Sequence, residues 1–403
     1  MKIRSITVFA DVGFPPNRLL FEHLGIFARH ARALLENEGF AVESLRMATE
    51  PFPSFLSAPQ LPTAAQVLAI ESHAQGFEYL SVGPALPDQL PDYTLIPQLL
   101  AAAPQIFATG MLTTREGVSL PAVKACSQII ADLARQEKDG FANLRFCALA
   151  NVPPYAPFFP AAYGAPGRPA FAFAIQGADL ALAVFESAAT LLQAREDLIN
   201  QVESRAQHLA ELGEKLAQIY NYEFKGIDFT LAPFPAELDS IARALEALGL
   251  PAFGLPGSLA ACAFLTSTLD QARFKRTGFN GLMLPVLEDS SIAARADDGS
   301  LSIQDLLMFS AVCGTGLDVI PLPGDTSAEA LEPLLLDLAA LALRLNKPLT
   351  ARLMPIPDKQ AGEMTTFSFD YFSNSRILPL RSQPLSGLLH SGSMLPIQPR
   401  RSA

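Results

Sequence analysis

Short apolar runs alternate with longer amphipathic segments along most of the chain. Runs of about five to eight residues rich in Val, Ile, Leu, Phe and Ala are typical of buried β-strands. They are bounded by Gly, Pro, Asn and Asp, which favour turns. The predicted strands are residues 3–10, 40–46, 79–82, 105–110, 145–149, 170–176, 228–232, 282–286, 317–321 and 349–355.

Segments with apolar residues at helical spacing separate these strands. The longest is 179–220, whose charged second half keeps a regular apolar stripe, and segment 236–248 ends at Gly249, a favourable helix stop. The other predicted helices are residues 17–36, 120–136, 258–271, 303–312 and 328–345.

This alternation predicts an α/β fold with parallel strand pairing. No linker or composition shift divides residues 1–380, so we expect one domain there. Residues 365–380 look β-rich, and the Ser/Pro/Gly-rich composition of residues 381–403 indicates a loosely ordered C-terminal tail.

Composition and charge narrow the class of partner. The 403 residues are 50% hydrophobic and 17% charged, with a net charge of −11. A nucleic-acid partner needs clustered Lys and Arg, so it is not expected. The uncharged stretches 51–70, 146–167 and 247–269 contain several Pro or Gly residues, which exclude membrane helices.

The N-terminus and the cysteines indicate the compartment. Asp11 interrupts the first apolar run, which therefore predicts a strand and not a signal peptide. The four cysteines lie far apart without CxxC spacing, so neither a structural zinc site nor any other metal site is expected. Scattered cysteines suggest a reducing compartment. We therefore expect a soluble cytoplasmic protein, with homo-oligomerisation left open.

Three segments in the second half of the chain carry a resemblance to a known family. They are GIDFTLAPFP at 226–235, LPVLEDS at 284–290 and VCGTGLDVIPLPGDT at 312–326, followed by Arg352 on the next strand. With weaker matches elsewhere, the chain resembles a bacterial and archaeal family of unknown function. That family has the ten-stranded α/β barrel of pyruvate formate-lyase and ribonucleotide reductase. The resemblance implies a ten-stranded, pyruvate-formate-lyase-like barrel for this chain.

The resemblance does not extend to radical chemistry. The chain has no glycyl-radical run of the Arg-Val-x-Gly type, and the family is not expected to have one. The family also often carries a His where this chain has Tyr163, so a role for that His does not carry over. Any chemistry is therefore expected to be polar.

Two residues are candidates for catalysis. Cys313 lies between a predicted helix and Gly314, and such a loop cysteine reaches the barrel centre in radical barrels. The alternative is a buried core cysteine at a helix stop. Glu288 and Asp289 follow a predicted strand, where a carboxylate serves as a base or ligand, or caps the next helix.

Other residues are candidates for ligand binding. Thr113, Thr114 and Arg115 form a loop between a strand and a helix that suits a phosphate or carboxylate, although an ordinary βα loop has the same pattern. The aromatic, proline-rich loop 151–169, with Phe159 and Tyr163, is long enough for a binding loop, and structural packing is its alternative. We expect Arg115, Glu288 and Arg352 to border one cavity with this loop.

Two functions remain open at this point. The first is a non-radical enzyme that acts on a small anionic metabolite at the barrel centre. The second is a catalytically inactive barrel that binds a ligand or has a regulatory role. The expected partner is a small molecule in both cases, and the sequence specifies no cofactor.

Overall fold

The computed structural model describes residues 1–400, and its framework is a large β-sheet covered by helices. The strands fall close to nine of the ten predicted positions, because each is an apolar run buried on both faces. They are β1 (Lys2–Phe9), β2 (Val42–Ala48), β3 (Tyr79–Ala85), β4 (Ile106–Met111), β5 (Val118–Ser119), β6 (Phe146–Ala150), β7 (Ala170–Gln176), β8 (Glu223–Ala232), β9 (Gly316–Pro323), β10 (Leu349–Ile356) and β11 (Met394–Leu395).

Helices connect most of the strands. They are α1 (Arg18–Asn37), α2 (Leu61–Ala74), α3 (Ile96–Ala102), α4 (Leu120–Ala134), α5 (Ala178–Ser187), α6 (Leu191–Tyr220), α7 (Ile241–Glu246), α8 (Ser258–Gln271), α9 (Ser290–Asp297), α10 (Ile303–Phe309), α11 (Ala328–Leu345) and α12 (Leu388–Ser391). Within residues 1–400, none of them combines the length and apolar character needed to cross a bilayer.

The large sheet has nine strands in the order β8-β7-β1-β2-β3-β4-β6-β10-β9. Neighbours from β1 to β6 are parallel, and so are β7–β8 and β9–β10. The pairs β1–β7 and β6–β10 are antiparallel. A central parallel group, β1-β2-β3-β4-β6, is therefore flanked by the parallel pairs β7–β8 and β9–β10, which run in the opposite direction, and this confirms the α/β class.

Segment 276–286 lies between the two edge strands without forming a strand of its own. Arg276 and Leu282 bridge to β8, and Pro285 bridges to β9. The continuous strand predicted at 282–286 is thus wrong. Pro285 has no N–H to donate, so the ladder is reduced to isolated bridges here.

Two predicted helices are divided. The prediction 179–220 becomes α5 and α6, because Thr190 takes an extended conformation and caps α6 by accepting from the Gln193 N–H. The prediction 236–248 becomes a short 3₁₀ turn and α7, which begins after the capping residue Ser240.

The C-terminal segments differ from the prediction. In the described part of residues 365–380 there is no strand, and the nearest pairing is an isolated bridge between Met364 and Arg376. Further on, β11 pairs antiparallel with β5, and residues 401–403 lie outside the described residues.

The apolar core occupies both faces of the sheet. The largest cluster packs the helices against its outer face, for example Phe21 of α1 against the layer that contains Ile6 of β1. Two smaller clusters lie on the inner face, one around Cys147 and Met283 and one around Phe9. Loop 151–169 contributes aromatic residues to both inner clusters, so it packs against the inner face of the sheet.

Candidate functional site

A cavity of about 140 Å³ opens on the inner face of the sheet, near the first residues of β1 to β4 and beyond the segment 282–286. Three arginines from three strands line it, so we call it the arginine cavity. Its lining residues are Arg4, Glu43, Ser44, Arg46, Glu78, Tyr79, Phe107, Leu144, Phe159, Glu288, Arg352, Phe369 and Tyr371.

Two of these arginines are held in a buried ion-pair chain. Arg352 of β10 donates from Nε to Asp318 Oδ1 at 2.6 Å and from Nη2 to Asp318 Oδ2 at 3.0 Å. The same Nη2 lies 2.9 Å from Glu288 Oε1, and Arg4 Nη2 lies 2.6 Å from Glu288 Oε2. The chain Asp318–Arg352–Glu288–Arg4 thus ties β9, β10 and β1 to the segment after residue 286.

Burial and the neighbouring charges have opposite effects on the pKa values of Glu288 and Arg352 in this ion-pair chain. Burial raises the pKa of the Glu288 carboxyl, but the guanidinium groups of Arg352 and Arg4 overcome it and hold the pKa below its usual range. Burial also lowers the pKa of Arg352, and the carboxylates of Asp318 and Glu288 overcome that effect and raise it. Glu288 is therefore ionised at neutral pH, which makes it a weak base.

Arg46 of β2 has a different environment. Its side chain is 9% exposed, and its Nε donates to Ser44 Oγ at 2.8 Å. The guanidinium carbon lies 5.7 Å from the ring centre of Tyr79 and 5.2 Å from that of Phe159. Within residues 1–400 it forms no ion pair. Burial and the neighbouring charge of Arg4 lower the pKa of Arg46 to about 10, so it stays charged at neutral pH.

Alternation along β2 explains why Arg46 faces the cavity. Leu45 and Met47 point to the outer cluster, and Ala48 belongs to an inner cluster. Successive side chains of a strand point to opposite faces, so Ser44 and Arg46 share the inner face with Ala48. The buried strand therefore places Arg46 on the inner face, where no carboxylate of residues 1–400 forms an ion pair with it.

Asp289, next to Glu288, has a structural role. It caps α9 by accepting from the Ser291 N–H at 2.9 Å and the Ile292 N–H at 3.0 Å. The same carboxylate accepts from Ser240 Oγ at 2.6 Å and from the Ile241 N–H at 2.7 Å, at the start of α7. The capping alternative is confirmed for Asp289, whereas Glu288 lines the arginine cavity.

Cys313 lies in the apolar layer between sheet and helices, and it is fully buried. Burial raises the pKa of its thiol, against the opposing effect of Lys347. The neighbouring glycines permit close packing: Gly314 packs against Gly281, and a Cβ on Gly316 would meet the Thr350 carbonyl oxygen at 2.3 Å. The expected position in the barrel interior is thus wrong. The catalytic role of Cys313 stays a prediction that this geometry does not support.

The residues predicted to bind ligand separate into two groups. Glu288, Arg352 and Phe159 line the arginine cavity. Thr113, Thr114, Arg115 and Tyr163 line a second cavity of about 900 Å³, near the opposite end of β4. The expectation of one shared cavity is therefore wrong, because loop 151–169 lies between the two ends and reaches both.

The second cavity is built mainly from backbone turns. Thr113 Oγ1 accepts from the Asn151 N–H at 2.8 Å, and Thr114 Oγ1 accepts from the Glu116 N–H at 3.1 Å. The Tyr163 hydroxyl donates to the Val152 carbonyl at 2.7 Å. These hydroxyl groups already have partners in the loops. Within residues 1–400, no group of three or more His, Cys, Asp or Glu side chains is arranged to hold a metal ion.

Comparisons with known proteins identify the family. The family model described as "Uncharacterised ACR (DUF711)" matches residues 1–373. The chain belongs to this family. It is 33% identical over 287 residues to a UPF0210 protein of Syntrophobacter fumaroxidans, covering 68% of this chain and 63% of that protein. It is 34% identical over 263 residues to a UPF0210 protein of Pyrobaculum aerophilum, covering 62% of this chain and 57% of that protein.

A third relative extends the match. A UPF0210 protein of Ligilactobacillus salivarius is 28% identical over 317 residues, which cover 76% of this chain and 70% of that protein. The chain spans 63% of the length of the Syntrophobacter protein and 57% of the Pyrobaculum protein. The DUF711/UPF0210 family is found in bacteria and archaea, and these names assign no activity.

Sequence reasoning did not single out three residues of the arginine cavity in this DUF711 chain. Arg46 and Glu43 lie in a predicted strand, and Arg4 lies in the first strand. The available signal was the alternation in β2, where the polar residues Ser44 and Arg46 alternate with the apolar residues Leu45 and Met47. Asp318 belongs to a family segment, but the sequence did not show that it pairs with Arg352.

Proposed function

We propose that the protein binds a small anionic metabolite in the arginine cavity. The observation that carries the proposal is Arg46, a buried guanidinium without a carboxylate partner in residues 1–400. Leaving a buried charge unpaired is unfavourable, and an anion in the cavity would remove that cost. The planar guanidinium matches a carboxylate or phosphate with two parallel hydrogen bonds.

The size of the cavity limits the ligand. Its volume of about 140 Å³ corresponds to about five waters, at about 30 Å³ each. This favours a metabolite of a handful of non-hydrogen atoms. Sites for drug-sized ligands are larger, about 300–1,000 Å³.

The buried ion-pair chain would support such a ligand without binding it directly. Glu288 and Asp318 fix Arg352, and Glu288 fixes Arg4. Their positions are therefore set before a ligand enters, which reduces the ordering cost of binding. In this proposal Glu288 is a positioning residue for the arginines.

Isothermal titration calorimetry with acetate, propionate and inorganic phosphate tests the proposal. A charge-assisted hydrogen-bonded contact contributes about 1.5–3 kcal/mol, so Arg46→Gln should weaken binding of the best anion about 10- to 100-fold. Arg18→Gln, which removes an exposed arginine paired with Glu71, should leave binding unchanged. Equal affinities of the wild type and Arg46→Gln for every anion would overturn the proposal.

We also propose that segment 276–286 closes the sheet into the ten-stranded, pyruvate-formate-lyase-like barrel. Hydrogen bonds that cross from this segment to both edges support it: Leu231 N–H to the Gly281 carbonyl at 3.2 Å, and Val286 N–H to the Asp318 carbonyl at 3.1 Å. Hydrogen–deuterium exchange should then show residues 282–287 as protected as β8 and β9. Fast exchange of this segment beside protected edge strands would contradict closure.

The second candidate is an enzyme that uses polar chemistry on the same ligand. The observation in its favour is that Glu43 and the hydroxyl-bearing side chain of Tyr371 line the arginine cavity. Proton transfer would exchange ligand protons next to a carbonyl or carboxylate for solvent deuterium. Proton NMR of pyruvate and propionate in D₂O, with wild type and Tyr371→Phe, tests this. Exchange no faster than in buffer alone would leave binding as the function.

A further inference from the structure

Two charges of opposite sign face the arginine cavity, and neither has an ion-pair partner within residues 1–400. Arg46 is the positive one, and Glu43 lines the same cavity from the same strand, β2. They also do not pair with each other, so space separates the two groups.

Glu43 is electrostatically part of this site. Its carboxylate raises the pKa of Tyr371, after the larger effect of burial, and it opposes the lowering of the pKa of Arg46. Burial lowers the pKa of Arg4, and the charges of Glu288 and then Glu43 counter it. Glu78, which also lines the cavity, already has partners. Its carboxylate forms an ion pair with Arg32 at 2.8 Å and accepts a hydrogen bond from the Leu45 N–H.

The charges of the site already balance. The positive groups are Arg4, Arg46 and Arg352, and the negative ones are Glu43, Glu288 and Asp318. A ligand that carries only a carboxylate pairs with Arg46 and leaves Glu43 without an opposite charge. A ligand with one negative and one positive group keeps the charge balance, and satisfies both unpaired side chains.

The walls of the cavity suit a positive group as well. Tyr79, Phe107, Phe159, Phe369 and Tyr371 surround the charged residues. Aromatic faces attract ammonium groups and also accept a short apolar side chain. The stack of Arg46 over Tyr79 and Phe159 shows the same attraction within the protein.

We infer that the arginine cavity takes a small zwitterion of the amino-acid class, with the carboxylate on Arg46 and the ammonium group on Glu43. This inference rests on the proposed function and names the ligand class of that site. The volume of about 140 Å³ fits glycine or alanine, which have five and six non-hydrogen atoms.

Matched probes separate the two contacts. L-alanine carries both charges, propionate only the carboxylate and ethylammonium only the cation; glycine, acetate and methylammonium form a second set. Calorimetry should show that the wild type binds an amino acid at least about tenfold more tightly than its matched acid or amine. Glu43→Gln should abolish the preference over the matched acid, and Arg46→Gln should weaken binding of both about 10- to 100-fold. Glu22→Gln and Arg18→Gln, at exposed positions of α1, are the controls for loss of charge.

The outcomes distinguish the inference from the proposal beneath it. Equal binding of alanine and propionate, unchanged in Glu43→Gln but weakened in Arg46→Gln, would overturn the zwitterion and leave anion binding intact. Absence of binding of every probe to the folded wild type counts against both. Far-UV circular dichroism and the melting temperature show that each variant is folded, and Glu43→Asp should restore part of the preference.

Discussion

Replacement of Arg352 by Met should be among the most destabilising single changes in the arginine cavity. Arg352 is 4% exposed, and its guanidinium donates to two carboxylates, Asp318 and Glu288, at 2.6 to 3.0 Å. Met preserves much of the side-chain length but removes the charge. Asp318, which is fully buried, then loses its arginine partner, whereas Glu288 keeps Arg4.

The expected magnitude follows from this stranded charge. Removal of one partner of a buried ion pair costs about 3–5 kcal/mol of unfolding free energy. With a urea m value of about 3 kcal/mol/M, the midpoint should fall by about 1 to 1.7 M. The control Arg376→Met removes an exposed pair with Asp297 and should cost less than about 1 kcal/mol.

A second variant distinguishes loss of attraction from the cost of a stranded charge. Asp318→Leu in the Arg352→Met background removes the unpaired carboxylate, so the double variant should regain about half of the lost stability. Urea unfolding followed by circular dichroism measures the free energy of unfolding of the wild type, Arg352→Met, Arg376→Met and the double variant. A double variant less stable than Arg352→Met alone would refute the reasoning.

The dependence on pH gives an independent check. Burial raises the pKa of Asp318, Arg352 opposes that effect and Glu288 adds to it. Without Arg352 the folded-state pKa of Asp318 rises further above its unfolded value. An acid with a raised folded-state pKa destabilises the fold while it is ionised, and the penalty disappears as pH falls through that pKa. The stability gap between Arg352→Met and wild type should therefore narrow on acidification, and a gap that widens would contradict this assignment.

Three further predictions concern separate features. Asp289→Ala should lower the free energy of unfolding in urea by about 2–4 kcal/mol, because it removes caps from both α7 and α9. The control Ser327→Ala removes the single cap of α11 and should lower it by about 1 kcal/mol. Equal losses in the two variants would contradict the double role of Asp289. All four cysteines are buried, so Ellman's reagent should find no fast-reacting thiol in the native protein and four after denaturation; one fast thiol would reopen the case for Cys313. If the chemistry is polar, as we expect, anaerobic activation should give no protein-radical signal by electron paramagnetic resonance, and a stoichiometric doublet would overturn that expectation.

Most strands of the large sheet could be predicted from the sequence. Strand β7 was predicted at its observed bounds, because AFAFAIQ is an uninterrupted apolar run. The prediction failed at 282–286, where the apolar pattern is equally clear but Pro285 prevents a regular ladder. Segment 365–380 is also rich in aromatic residues, yet its rings pack on one another and on Phe141 without forming a sheet.

The residues of the arginine cavity could be predicted only in part from the sequence, for a physical reason. Glu288 stands out shortly after a predicted strand and Arg352 as a charge within a largely apolar strand, and both line the arginine cavity. Arg46 does not stand out, because a strand arginine is equally compatible with an exposed face. Only the three-dimensional arrangement shows that β2 is covered on both sides and that this arginine is buried without a carboxylate.

Loop 151–169 explains why the two ends of the sheet have separate cavities. Contacts with the inner face of the sheet hold this loop in place. Ser81 Oγ of β3 donates to the Ala162 carbonyl at 2.7 Å, and Phe158 packs in the inner cluster around Cys147. Phe159, from the same loop, forms one wall of the arginine cavity. Phe369 and Tyr371, from the C-terminal part of the chain, also line this cavity. A carboxylate supplied by the loop would have neutralised Arg46 permanently, whereas an aromatic wall keeps this cation available for an incoming anion.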